Sequence, residues 1–340
     1  MFDYEKYRAA AYKYKYETAL ETERRRISYK ELYAMTDAFC NSLCVANPSG
    51  GSVAVLLRAC PEAVCAYFAC VKAGFDCISA DSRLSLDKAR LLAEKYRPTV
   101  VVMPSMEFSR LSDIFLHHDC KTAVFTGEAP QEQLFPAQFG FDILLEKNNY
   151  AVMDKKQERR TCEHIFFDGN GFKDSLPSSL FELPVREPVY IGLPIYENAG
   201  SLALTELLYS GRRCFIPQEL NPAIFKRKKI HAAICDKLSK PSFSETFRSV
   251  FEADTDTSKP FVYAGGGTLY TDAIGKYLSS VTGYSVSCLF DGTKIRIAVS
   301  AEDIRIAEDA ELIKAIKNVC ADILYAYDMP KSVVFVKKTV

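Results

Sequence analysis

An excess of charge of either sign is the first thing missing from this sequence. Its 340 residues hold 43 Lys+Arg against 43 Asp+Glu, a formal net charge of zero. A dedicated nucleic-acid binder normally shows a basic excess, so that class of partner is set aside. Long apolar runs are missing too. Spanning a bilayer takes roughly 18 apolar residues, and the best candidates, 63–73 and 99–103, fall short. The opening MFDYEKYRAAAYKYKYE is charged throughout and lacks the apolar centre of a signal peptide. Together these absences predict a cytoplasmic protein with neither nucleic acid nor membrane among its partners. The four histidines, His117, His118, His164 and His231, form no metal-ligand spacing and no catalytic triad.

Cysteine is plentiful, with 12 in the chain and six between Cys40 and Cys77. In a reducing compartment these are not expected to pair as disulfides. Cys60, Cys65, Cys70 and Cys77 contain no CxxC pair and have no histidine among them, so zinc is not indicated. Cys65 and Cys70 lie within PEAVCAYFACVKAG, which reads as a buried helix using cysteine as a small apolar residue. No metal ligand and no catalytic residue is assigned.

Hydrophobic residues make up 48% and charged residues 25%, enough apolar content for a large core in roughly two domains. Strand-like and helix-like stretches alternate. Ser28 followed by Glu31 forms a plausible capping box for a helix carrying Leu32, Met35, Phe39 and Leu43 at three- and four-residue spacing. A buried-strand run covers 53–57, a helix opens at Pro61 and stops at Gly74, and further strands fit 75–79 and 99–103 around a helix at 85–96. A loop region is expected around 127–140. Beyond it, strands fit 164–167, 189–193, 214–216, 232–235 and 261–264, and helices fit 199–210, 221–229, 242–251 and 270–281. The pattern predicts an α/β fold with mainly parallel sheets, ending in a strand–helix–strand unit over 295–299, 307–325 and 332–337. The tyrosines of the first 16 residues read as a segment packing on the domain.

The first hundred residues, through ISYKELYAMTDAFCNSL and SVAVLLRACPEAVCAYFACVKAGFDCISADSRLSLDKARLLAEKYRPTVVV, resemble the adenylate-forming superfamily of acyl-CoA synthetases, peptide adenylation domains and luciferases. Ala69 to Gly74 matches its "AxxKAG" helix, and Ala80-Asp81-Ser82-Arg83 replaces its "PLDP" turn. The resemblance implies an adenylate-forming N-terminal core over 1–293 and a small remnant of the family's α+β C-terminal domain over 294–340.

It also implies positions for a nucleotide site. The family's Ser/Thr/Gly-rich phosphate loop corresponds to Phe167–Asp174, where Gly169, Asn170, Gly171 and Lys173 remain but no hydroxyl does, and where Asp168 and Asp174 bring negative charge. An ordinary Asn-Gly surface turn accounts for the same residues and is preferred. Tyr263 to Leu269 resembles the family's "SGGAPL" segment, placing Gly265, Gly266 and Gly267 against adenine; a plain strand-to-helix turn explains it equally well. Phe290 and Thr293 fall at the "YGxTE" motif, with Lys294 where the Mg²⁺-binding glutamate belongs. A hairpin turn at Asp291-Gly292 is the preferred reading there. Leu193 to Gly200 resembles "PLFHxxG" and implies a substrate pocket at Tyr196, Glu197 and Asn198. Glu197 could recognise an amine, or serve as a helix N-terminal acid; the second is favoured.

The ribose-binding "TGD" segment and the "GRxxD" region have no counterpart. Tyr327 to Val336 resembles the C-terminal "YMVPxxVVFV", and Lys337 and Lys338 precede the position of the catalytic "GK" lysine. The resemblance therefore implies a degenerate ligase-like protein, inefficient at adenylation alone, that binds a small carboxylate or acyl ligand, a carrier protein or another biosynthetic partner. ATP and Mg²⁺ are its implied cofactors. A minimal or split acid–thiol ligase is the alternative.

Overall fold

The computed structural model describes residues 3–47, 50–142, 163–167, 176–184, 187–216, 222–235, 243–244, 246–253, 262–264, 267–269, 275, 278–279, 282–290, 295–301, 310–323 and 332–337. Helix α1 (Tyr4–Lys13) leads into a short hairpin of β1 (Thr18–Glu21) and β2 (Arg26–Ser28). Helix α2 (Tyr29–Ala46) starts at the capping box read from the sequence. Ser28 Oγ accepts from Glu31 N at 3.2 Å, and Glu31 returns a carboxylate oxygen 2.7 Å from Ser28 N. The bond from Ser28 N and a second from the Ser28 hydroxyl, 2.8 Å from the same carboxylate oxygen, hold the Glu31 carboxyl below its ordinary range.

Six strands and three helices follow: β3 (Ser52–Leu56), α3 (Pro61–Ala73), β4 (Asp76–Ala80), α4 (Leu86–Tyr96), β5 (Val100–Pro104), α5 (Phe108–His117) and β6 (Thr122–Thr126) in alternation, then β7 (Ala137–Gly140) and β8 (His164–Phe166). Helix α3 has Pro61 in its first turn and ends at Gly74, whose φ of 75° is the left-handed cap that glycine adopts without strain. The strands form one sheet, β7-β6-β5-β3-β4-β8, parallel throughout.

A second sheet, β12-β11-β9-β10-β1-β2, takes β9 (Val189–Ile191), β10 (Cys214–Phe215), β11 (Ala232–Cys235) and β12 (Ser249–Glu252). Helices α6 (Asn198–Tyr209) and α7 (Pro222–Lys228) connect its strands. A hairpin of β13 (Val262–Ala264) and β14 (Gly267–Leu269) precedes a third sheet, β15-β16-β17, built from β15 (Ser285–Phe290), β16 (Ile295–Ala301) and β17 (Ser332–Lys337), with α8 (Ala310–Ile323) between the last two. Because β15 pairs with β16, this sheet straddles residue 294.

Side-chain alternation sorts the first two sheets into layers. Val53, Val55, Val100 and Val102 face a core that also holds α2, α3, α6 and the inner face of the second sheet, Val189, Ile191 and Ile234. Ala54, Leu56, Val101 and Met103 face the other way, onto α4 and α5. On the far side of the second sheet, Tyr190 and Phe215 pack with Phe225, Phe243 and Phe247. The order is helix, sheet, helix, sheet, helix. Tyr29, fully buried, brings its hydroxyl to the carbonyls of Leu208 and Arg212, joining α2 to the end of α6. Glu21, also fully buried, is met by Arg26 at 2.9 Å, Lys228 at 3.0 Å and Arg213.

Three sequence expectations need correction. Residues 242–251 were expected as one helix, but 249–252 are strand β12, paired in parallel with β11 through Ala232↔Ser249 and Ile234↔Phe251. The 127–140 loop contains β7, which adds an edge strand beside β6. Gly267, expected in a strand-to-helix turn, instead opens strand β14, where it pairs with Ala264. As expected, α1 packs on the domain through Tyr7, and Cys65 and Cys70 are fully buried. Among the described residues, no helix is long and apolar enough to cross a membrane.

Candidate functional site at the carboxyl edge of the first sheet

All six strands of the first sheet run the same way, so their carboxyl ends share one edge. Strand β3 lies between β4 and β5: the chain moves from β3 to one side and from β5 to the other. Such a switch point opens a crevice outside the carboxyl ends, where α/β proteins place ligands. Arg58 follows β3, Asp81 to Arg83 follow β4, and Glu107 follows β5.

Asp81 is the hub. Its carboxylate accepts from Arg83 N at 2.9 Å, from Arg83 Nη2 at 2.7 Å and from the hydroxyl of Tyr196 at 3.0 Å. Burial alone would raise its pKa. The guanidinium groups of Arg83 and Arg58, with the hydrogen bonds from Arg83, outweigh that and hold it below the usual carboxylate range. The next layer braces this turn onto α5. Arg110 donates to the carbonyls of Ser82 at 2.6 Å and Leu84 at 2.8 Å, and to Glu107 at 2.6 Å. Burial pushes the Glu107 carboxyl up, against the opposing charge of Arg110. Two neighbouring carboxyls are thus driven in opposite directions by their surroundings.

The segment 193–198 crosses the same edge. Ser79 Oγ donates to the carbonyl of Tyr196 at 3.1 Å and stands 3.1 Å from His164 Nε2. The His164 ring lies 4.3 Å from Phe166 and 5.0 Å from Tyr67, and burial lowers its pKa to about 3, so it is neutral near pH 7. Gly200 sits in the first turn of α6, where a Cβ would come 2.0 Å from the carbonyl oxygen of Pro194. Only glycine lets the helix start this close to the segment before it. Glu197 is the buried N-cap of α6, the helix-terminal position favoured from the sequence, and Asn198 begins the helix.

Of the residues singled out in the sequence, Tyr196, Glu197 and Asn198 come together here. Gly169, Asn170, Gly171, Lys173, Gly265, Gly266 and Thr293 lie outside the described residues. Gly267 opens β14. Phe290 ends β15 opposite Ile295, the antiparallel pairing that the preferred hairpin requires. Sequence reasoning missed Glu107, Arg110 and the roles of Ser79 and His164. The one available signal was the charged Asp81-Ser82-Arg83 in place of a proline-rich turn. No group of three or more His, Cys, Asp and Glu among the described residues could hold a metal ion, and Asp81 and Glu107 are both engaged by arginines. With both carboxylates committed to arginines, the described residues do not fit a Mg²⁺ ion.

Residues 7–158 match the sequence model of the AMP-binding enzymes. The architecture is that of the adenylate-forming enzymes. Coronafacic acid ligase from Pectobacterium brasiliense superposes with a TM-score of 0.55 at 13% identity, covering 100% of this chain and 95% of that one. An amide bond synthetase from Marinactinospora thermotolerans gives 0.58 at 11% identity, covering 98% and 96%. An anthranilate CoA ligase solved with anthranoyl-AMP gives 0.57 at 12% identity, covering 98% and 93%. No curated protein matches the chain by sequence. The large parallel sheets match the N-terminal core of these enzymes together with a small C-terminal part.

Proposed function

We propose that this protein is an AMP-dependent ligase-like protein that binds a small carboxylate or acyl ligand and adenylates poorly by itself. One observation carries the reading. The segment resembling the family's acyl-pocket motif is built rigidly onto the carboxyl edge, through Tyr196 to Asp81 and Ser79 to the Tyr196 carbonyl. The positions that should meet phosphate and metal are altered, with Asp168, Asp174 and Lys294 reversing the expected chemistry. A crevice that keeps its ligand wall while losing phosphate hydroxyls and a hard oxygen ligand suits retention of a carboxylate better than attack on ATP. When bound, ATP with Mg²⁺ would supply the activating phosphoanhydride. The protein's own part is to orient the carboxylate beside the buried 193–197 segment. The partner in this reading is a carrier protein or another biosynthetic protein that uses the held ligand.

The test is calorimetric titration of the full chain with ATP and Mg²⁺, with AMP, and with aryl and alkyl acyl-sulfamoyl adenosines, followed by carboxylate-dependent pyrophosphate release. Binding of the acyl analogues without pyrophosphate release is the expected result. Release at ordinary ligase rates, on the order of 1 s⁻¹ or faster, would replace this reading with a minimal acid–thiol ligase working through Lys173 or another residue.

A further inference from the structure

On the face of α2 that meets α1 and α3, two cysteines lie one helical turn apart, Cys40 within the main core and Cys44 packed against it. Cys40 is 5% exposed, and Cys44 above it is half-buried and reaches solvent. Helix neighbours at this spacing stand on one face with Cβ atoms about 5–6 Å apart. Lys72 of α3 crosses to the same face. Its ammonium lies 2.6 Å from Asp37 Oδ1, over the Tyr4 ring at 5.3 Å and the Tyr33 ring at 6.0 Å. Tyr4 also donates to Asp37 at 3.0 Å. We propose that Cys44 and Cys40 form a peroxide-reactive thiol pair, in which Cys44 is the attacking sulfur and Cys40 the resolving one.

The surroundings assign those roles. The charges facing the pair are Lys72 from α3 and Asp37 from α2. A hydrogen bond from the Cys40 thiol and the charge of Lys72, against burial, bring Cys44 down to about 7. The same hydrogen bond, with burial, pushes Cys40 up. Lys72 matters more because Cys44 lies in the last turn of α2, where unpaired carbonyls disfavour an anion. Cys60, also half-buried, is pushed well above its ordinary value by burial and is no competitor.

The chemistry balances with a hydroperoxide as oxidant. The Cys44 thiolate attacks the peroxide, an S–O bond forms, the O–O bond breaks, and the alkoxide leaves as the alcohol after taking a proton. The Cys40 sulfur then attacks Cys44; the S–S bond forms, the S–O bond breaks, and the hydroxyl leaves as water with the Cys40 proton. Two electrons pass from the thiols to the peroxide. A disulfide needs Cβ atoms about 3.5–4.5 Å apart, so the final turn of α2 must give by about 1–2 Å. That turn is within three residues of the helix end at Ala46.

The sequence supplies a direct readout. Trypsin releases 31–58 as one peptide containing Cys40 and Cys44 and no other cysteine. After treatment of the full chain with one equivalent of hydrogen peroxide, that peptide is expected to lose two hydrogens, reversibly with a thiol reductant. Cys40→Ser is expected to stop at a sulfenic acid trappable by a 1,3-dione, and Cys44→Ser to leave the peptide unoxidised. Oxidation elsewhere first, or the same product in Cys44→Ser, overturns the pair. Iodoacetamide alkylation of Cys44 in the unaltered protein gives an independent check. A midpoint near 7 supports the assignment, and one near the free-thiol value of about 8.5 overturns it.

Discussion

The hydroxyl of Tyr196 donates to Asp81 at 3.0 Å across 115 positions of the chain. This bond ties the segment before α6 to the end of β4, and its acceptor is a charged, partly buried carboxylate. Tyr196→Phe keeps the ring and removes only the donor. It is expected to cost about 1.5–3 kcal/mol, the range for a hydrogen bond to a charged group. Urea denaturation would measure the loss, and hydrogen exchange would show faster opening at 193–197.

Asp81→Asn strikes the other end. Arg83, 8% exposed in its side chain, and the nearby Arg58 would lose their counter-charge. Removing one partner of such a pair is expected to destabilise by about 3–5 kcal/mol, read from the denaturation midpoint. Because the folded-state pKa of Asp81 is lowered, its stabilisation is complete above the unfolded value of about 3.9. It fades as pH falls through the folded value, and Asp81→Asn should lack that acid slope. Glu107 works oppositely. Its raised carboxyl costs stability as pH rises from its unfolded towards its folded value, a slope that Glu107→Gln should lack.

His164 titrates in a higher window. Its pKa falls from an ordinary 6.5 to about 3 on folding, so the folded state resists protonation. Stability is fully present above about 6.5 and declines as pH drops towards about 3, since the unfolded chain takes up the proton first. Denaturation between these limits, compared with His164→Gln, should show the slope in the original protein and a flatter curve in the variant.

Gly200→Ala places a methyl group 2.0 Å from the Pro194 oxygen. The clash is with backbone, so a rotamer change cannot relieve it. The variant is expected to lose about 1–3 kcal/mol or more and to weaken any ligand held by the 193–198 segment, both measurable by thermal denaturation and calorimetry.

Ser28→Ala removes the hydroxyl acceptor of the α2 cap. A loss of about 1 kcal/mol is expected. The Glu31 carboxyl, released from part of its partnership, should titrate closer to an ordinary glutamate by NMR.

Local chemistry explains what could be read beforehand. The Ser28–Glu31 cap, Pro61, Gly74 and the valine-rich strands announce themselves within a few residues, because each signal and its effect lie on one element. Residues 249–252 did not, since Val250 and Phe251 suit helix or strand and the pairing with β11 decides between them. The site divides in the same way. Leu193 to Gly200 was legible as a motif, and its buried Glu197 and obligatory Gly200 follow from that stretch. Asp81 became a hub only when the fold brought Arg83, Arg58 and Tyr196 around it, and no spacing in the sequence foretold the contact with Tyr196.

The placement of β1 has a bearing on how the chain assembles. Leu20 lies within the stretch that matches the AMP-binding enzymes, yet its parallel partner is Cys214 in the second sheet. During synthesis the first hairpin must wait for nearly two hundred further residues before its ladder can close. Until then Ala19 and Leu20, fully buried in the finished protein, remain uncovered. A fragment ending at 158 would therefore carry an unsatisfied strand edge and a sticky apolar face, and it should aggregate where the whole chain folds.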